Sequence, residues 1–204
     1  MPYMQRLTWG GVALHAGELP GYPASHGCIR LPHDFAKLLF GVSRLGMTVI
    51  VTAQSDLPRL APTRDPLPDA GALDGTNRPQ WNPQRAPEGP LSIVVSGADR
   101  RIVVLRNGRE IGRAPIEFDG TAMGTRAYTL RDGPDGLRWS RIFLAGEVDK
   151  AEPDASDLAW RRIKVDPAFR TELQRQIVPG TTVVLTTDSL SAGAPPVPVL
   201  QADP

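Results

Sequence analysis

The sequence predicts a mainly β protein with short helices, of the α+β class. Three observations predict it. Asn107-Gly108 stands between two apolar runs, the strongest short-range signal for a two-residue hairpin turn. Two runs rich in β-branched residues, "TVIVT" (48–52) and "TTVVLTT" (181–187), have the composition of buried strands. Each of these runs follows a short stretch with helical apolar spacing and then a glycine, at 46 and 180.

Taken in order, "GVAL" (11–14) is predicted as a short buried strand ending at His15, and "AGELPGYPASHG" as a loop of turn formers. From Asp34 to about Arg44, Phe35, Leu38, Leu39 and Val42 fall on one face, as in an amphipathic helix, and Gly46 ends it. Residues 55–90 carry eight prolines and few large apolar residues. Proline at that density removes amide donors and fixes φ, which predicts an extended, surface-running linker. "LSIVVSGADRRIVVLRNGREIGRAPI" (91–116) predicts a three-strand meander turning at Gly97-Ala98-Asp99 and at Asn107-Gly108, "DPAFRTELQRQI" a second helix, and residues 189–204 a disordered tail.

Laid on itself at an offset of 134, the chain shows eight identities over residues 29–55, among them Phe35 with Phe169, Leu39 with Leu173, Gly46 with Gly180 and Thr48 with Thr182. Chance would give roughly two at ordinary residue frequencies. We read this as a duplicated helix–Gly–strand unit; the plainer alternative is that two amphipathic helix–strand units align by their shared pattern. Cys28 falls on Arg162 and His26 on Trp160, so the second copy lacks the nucleophile. Three regions result: 1–54, the 55–90 linker and 91–188. Residues 1–54 alone hold few elements for an independent core.

Composition narrows the function classes. With 23 Lys plus Arg against 22 Asp plus Glu, no polycationic face is available for nucleic acid. One cysteine excludes an internal disulfide, and no apolar run reaches the length of a membrane span. Residues 1–14 lack the basic start and long apolar stretch of an export signal. Oligomeric state is not encoded in any of these features.

The chemistry concentrates in "YPASHGCIRLP" (22–32), which holds Cys28. A thiol needs a base or a cation to become a nucleophile near neutrality. His15 and His26 are the nearby candidates. The intervening loop returns the chain and so brings His15 toward Cys28, whereas His26, separated from the cysteine by Gly27, is not expected to be the residue that faces it. His15 is therefore assigned as the base that takes the thiol proton and returns it to a leaving amine. The amides of Gly27 and Cys28 are candidates for an oxyanion hole, and Arg30 for a fork that holds a substrate carboxylate. These parts build acyl transfer through a thioester.

"HAGELPGYPASHGCIRLP" resembles the signature of the L,D-transpeptidase catalytic-domain family, over residues 1 to about 52, and residues 91–188 resemble it weakly, as a degenerate second copy. The resemblance implies Cys28 as nucleophile, His15 as the catalytic histidine and Arg30 as the motif arginine. It implies that His26 and Gly27 stand beside the nucleophile with their backbone toward the oxyanion, preceded by the small polar Ser25. It also implies a mixed, mostly β domain, no metal or other cofactor, and action in the bacterial periplasm or envelope on peptidoglycan stem peptides. There the cysteine would attack the bond before a terminal D-alanine and pass the acyl group to an amine. The family's domain has strands ahead of the upstream histidine and its exported members carry a signal or anchor. Neither is found here, which leads us to expect a shortened chain holding the C-terminal half of that domain.

Alternatives stand beside these assignments. His15, His26, His33 and Cys28 are enough ligands for a zinc ion, although their spacing fits no familiar finger. His26 serves either as a structural donor or in substrate contact. Trp139, Trp160 and Tyr128 suggest a sugar platform, against which core or linker packing is the simpler expectation. Arg100-Arg101 and Arg161-Arg162 are expected to be solvated. As a whole, the chain could also be a non-catalytic peptidoglycan-binding or scaffolding protein, or a hydrolase that gives the same thioester to water.

Overall fold

The computed structural model describes residues 1–7, 11–22, 27–51, 59–73, 77–118, 124–143 and 162–190. Its described residues are mostly β and form two units, Met1–Arg44 and Leu45–Leu190. Among them no helix is long and apolar enough to cross a membrane.

The first unit is a three-stranded sheet and one helix. Strands β1 (Gln5–Arg6), β2 (Ala13–Ala16) and β3 (Ile29–Leu31) lie in that order, β1 antiparallel and β3 parallel to β2. All four residues of β2 are buried. Helix α1 (His33–Val42) starts at Pro32, which offers no side-chain cap, with Asp34 in its first turn, where a negative charge suits the helix dipole. Its apolar face is only partly used. Ala36 is buried, while Phe35 is 53% and Leu38 71% exposed.

The second unit is built on a mixed sheet. Strands β7 (Leu91–Ser96), β8 (Arg101–Arg106) and β9 (Arg109–Glu117) form the expected antiparallel meander. Asn107 and Gly108, both at positive φ, make the two-residue turn between β8 and β9. Strands β10 (Arg126–Gly133) and β11 (Gly136–Phe143) form a second hairpin. Strand β13 (Thr182–Thr186) runs between the two hairpins, parallel to β7 and antiparallel to β10. Beyond β9 lies β12 (Lys164–Val165), followed by helix α2 (Pro167–Gln174). The core joins one sheet face, with Ile93, Val95, Ile102, Val104 and Val183 fully buried, to Phe169 and Leu173 of α2. Asp166 caps α2 by accepting the Phe169 amide, at 2.9 Å. The buried guanidinium of Arg106 donates to Gln176 at 2.6 Å and to the Ala86 and Pro87 carbonyls, which ties β8 to the segments on either side of it.

Three expectations are corrected here. The proline-rich stretch is not a separate linker in its described parts. It supplies β4 (Arg59–Pro62) beside β11, β5 (Asp69–Ala70) beside β12 and β6 (Gln80–Trp81) beside β9, and it buries Leu67 and Ala86. These strands lie against the ends of the sheet and along β9, and edge pairing is where a proline-interrupted chain can still extend a sheet. Residues 48–51 are not a strand, and Val49, Ile50 and Val51 are exposed. β-Branched composition favours a strand only where a neighbour offers its edge. Here the segment is held by other bonds: Thr48 Oγ1 lies 2.7 Å from Thr182 Oγ1 and 3.1 Å from Ser92 Oγ, and Ser92 Oγ donates to the Gly46 carbonyl. Gly46 has φ +82°, and a Cβ there would come within 2.7 Å of the Gly108 nitrogen. Residues 45–51 thus associate with the second unit, and the boundary falls after Arg44 rather than at 54.

The remaining aromatic and arginine expectations divide. Tyr128 is buried and Trp139 packs against the core, as packing residues do; Trp160, like Arg161, lies outside the described residues. Arg162 is exposed. Arg100 lies over the Phe118 ring at 4.8 Å, and Arg101 pairs with Asp99 at 3.1 Å, so this dipeptide is engaged rather than merely solvated. Of the tail expected over residues 189–204, Ser189 and Leu190 are instead held by hydrogen bonds to Asp99, and residues 191–204 lie outside the described residues.

Candidate active site

The site residues come from one short parallel pair. In the β2–β3 register Leu14 faces Ile29, His15 faces Arg30 and Ala16 faces Leu31. Residues directly opposite in a sheet turn their side chains to the same face. His15 and Arg30 therefore project together, and Gly17 marks where they meet. A Cβ at Gly17 would touch Arg30 Cδ at 3.3 Å and His15 Cε1 at 3.5 Å. A side chain here would press on both groups.

His15 is 7% exposed, and its Nδ1 lies 2.8 Å from the Ala16 carbonyl oxygen. A carbonyl only accepts, so Nδ1 donates in this contact, and Nε2 is the nitrogen on the other side of the ring. Arg30 donates from a terminal nitrogen to the Glu18 carbonyl at 3.3 Å, which holds the guanidinium near the loop that leaves β2. Cys28, which directly precedes β3, is half-buried, and its Sγ donates to the Gly11 carbonyl at 3.4 Å. Gly27 has φ +122° and lies against Val12, whose Cγ2 would be 3.2 Å from a Cβ. Ser25 and His26 lie outside the described residues.

His33 stands apart at the exposed start of α1, 3.3 Å from Asp34 and edge-on to Tyr3 with ring centroids 5.3 Å apart. No three His, Cys, Asp or Glu side chains gather as a metal site among the described residues. The sequence reading did not single out Gly11, Gly17 or Glu18, because two of them act through backbone carbonyls and the third through a missing side chain. The one legible trace is the glycine in "HAGE".

Residues 1–51 match the L,D-transpeptidase catalytic domain. That is 51 of 204 residues, and the matched segment contains β1, β2, β3, α1 and every candidate site residue. No curated protein matches the chain.

Proposed function

We propose that the first unit carries the acyl-transfer centre of an L,D-transpeptidase acting on peptidoglycan stem peptides in the cell envelope. The observation that carries this reading is the β2–β3 register, which puts His15 beside Arg30, with Cys28 two residues before Arg30 on the same strand path. Alternation along an extended chain turns positions 28 and 30 to one side.

In the mechanism, the thiol turns from the Gly11 carbonyl and gives its proton to His15 Nε2. The thiolate attacks the carbonyl carbon of the bond before the terminal D-alanine, and the amides of Gly27 and Cys28 receive the developing oxyanion. Collapse breaks the C–N bond; the imidazolium proton goes to the departing amine, leaving a thioester on Cys28. An acceptor amine then attacks the thioester, loses its proton to His15 and releases the thiol. Arg30 is the fork for a stem carboxylate, and Ser25 and His26 are proposed beside it on the family motif.

Residues 91–188 are, on this reading, a degenerate second copy. Support comes from the offset of 134: it carries residues 29–31 (β3) onto 163–165, which contain β12, it carries the start of α1 onto the start of α2, and it sets Gly46 at φ +82° against Gly180 at φ +87°. The test is incubation of the full chain with a tetrapeptide stem, followed by intact-mass spectrometry. The expected result is an acyl adduct on Cys28 with release of D-alanine. A wall-binding protein without catalysis would instead be retained on peptidoglycan equally well after Cys28→Ala, with no adduct in either form.

A further inference from the structure

A groove of about 630 Å³ opens in the second unit, lined by Arg78, Arg101, Arg113, Asp99 and the prolines 79 and 115. Its geometry follows from strand register. Arg101 is opposite Pro115 across β8 and β9, Val103 is opposite Arg113, and Gln80 of β6 is opposite Arg113 on the far side of β9. Residues opposite one another share a face, so Arg101, Arg113 and Gln80 project to the same side of the sheet, away from the core positions Ile102, Val104 and Ala114.

The charges in the groove are not equivalent. Asp99 is saturated: it accepts the Ser189 hydroxyl at 2.6 Å and the Leu190 amide at 2.7 Å and pairs with Arg101 at 3.1 Å. Arg113 commits only Nε, to Gln80 at 3.0 Å and to Glu110 at 3.5 Å. Its two terminal nitrogens have no acceptor among the described residues, and Arg78 makes no hydrogen bond or ion pair with them. Two guanidinium forks therefore face one groove, Arg113 from β9 and Arg78 from the loop before β6, above a floor of Pro79 and Pro115.

We propose that this groove binds a short peptide bearing two carboxylates, one for Arg78 and one for Arg113. Each fork matches one planar carboxylate through paired N–H donors. The volume suits a di- or tripeptide, and the two prolines of the floor suit its aliphatic carbons. The carboxylate of Asp99 in the wall disfavours a polyphosphate. The site is separate from the acyl-transfer reading, because its residues all lie in the unit without the cysteine.

The test is calorimetric titration of the full chain at low salt with acetyl-Glu-Ala-Glu-amide, acetyl-Gln-Ala-Gln-amide and inorganic phosphate. The proposal expects saturable one-to-one binding of the acidic peptide only. Binding should weaken at least tenfold in Arg78→Gln/Arg113→Gln, several-fold in Arg78→Gln alone, and stay unchanged in Cys28→Ala and in Arg175→Gln, a surface arginine on the helix end. Because Arg78 lies in a loop and is exposed, the single variant keeps the test valid if the double variant melts early. Equal binding of the neutral peptide, tighter binding of phosphate, no binding at all, or an undiminished affinity in the Arg78 variant would each overturn it.

Discussion

Helices α1 and α2 begin 134 residues apart and carry matching residues, yet they are packed oppositely. Phe169 is 3% exposed and Leu173 0%, whereas their counterparts are open, Phe35 at 53% and Leu39 partly so. The capped, buried helix belongs to the unit that has Arg162 where the other has Cys28. The open helix belongs to the unit that holds the thiol, the imidazole and the guanidinium. The same local pattern thus serves a core in one unit and leads directly out of the strand that carries Arg30 in the other. Helical spacing specifies a face; what that face meets is decided by distant parts of the chain.

The largest expected break in this comparison is at the paired phenylalanines. Phe169→Ala removes a buried ring that meets Trp81 edge-on at 5.3 Å, and should cost about 3–5 kcal/mol in chemical denaturation. Phe35→Ala, on an open face, should change stability by less than about 1 kcal/mol. Equal losses at the two positions would mean that α1 is covered in solution.

A smaller difference should appear at the caps. Asp166→Ala removes the bond to the Phe169 amide and should cost about 1 kcal/mol. Pro32→Ala removes no such bond and should leave the melting temperature nearly unchanged, apart from what the fixed φ of proline contributes through the unfolded chain.

The smallest effect is a pH dependence. The Asp99 carboxyl is held below its ordinary 3.8, first by the Ser189 hydroxyl, with the Leu190 amide and Arg101 adding to this against the opposing effect of burial. A lowered carboxyl stabilises the fold above its unfolded pKa, and that contribution fades as pH falls through the lowered folded value. Asp99→Asn should therefore melt slightly below the native protein at neutral pH, and the gap should close as the solution is acidified below 3.8. A gap that widens in acid would reverse the assigned sign.

How much was legible in the sequence follows from how local each signal is. The Asn107-Gly108 turn, the meander it closes and the helix after Asp166 are set by residues in contact along the chain, and all are found. His15 and Arg30 were singled out separately, and their register makes them neighbours. Of the strand expected at 48–52, the described residues 48–51 form none, because β-branched residues need an adjacent edge, and Thr48 instead bonds Ser92 and Thr182 through hydroxyls. The proline-rich stretch misled for the converse reason: composition forbids a central strand there but says nothing against short edge strands. The groove arginines were invisible, since Arg78 and Arg113 lie 35 positions apart and meet only through the pairing of β6 with β9.

The central claim is that His15 takes the proton from Cys28. Single-turnover acylation by a tetrapeptide stem, followed as mass gain on Cys28, should slow by about 10²–10⁴-fold in His15→Ala. The exposed His33→Ala should acylate at the native rate. An unchanged rate in the His15 variant, or a loss confined to His26→Ala, would contradict the account.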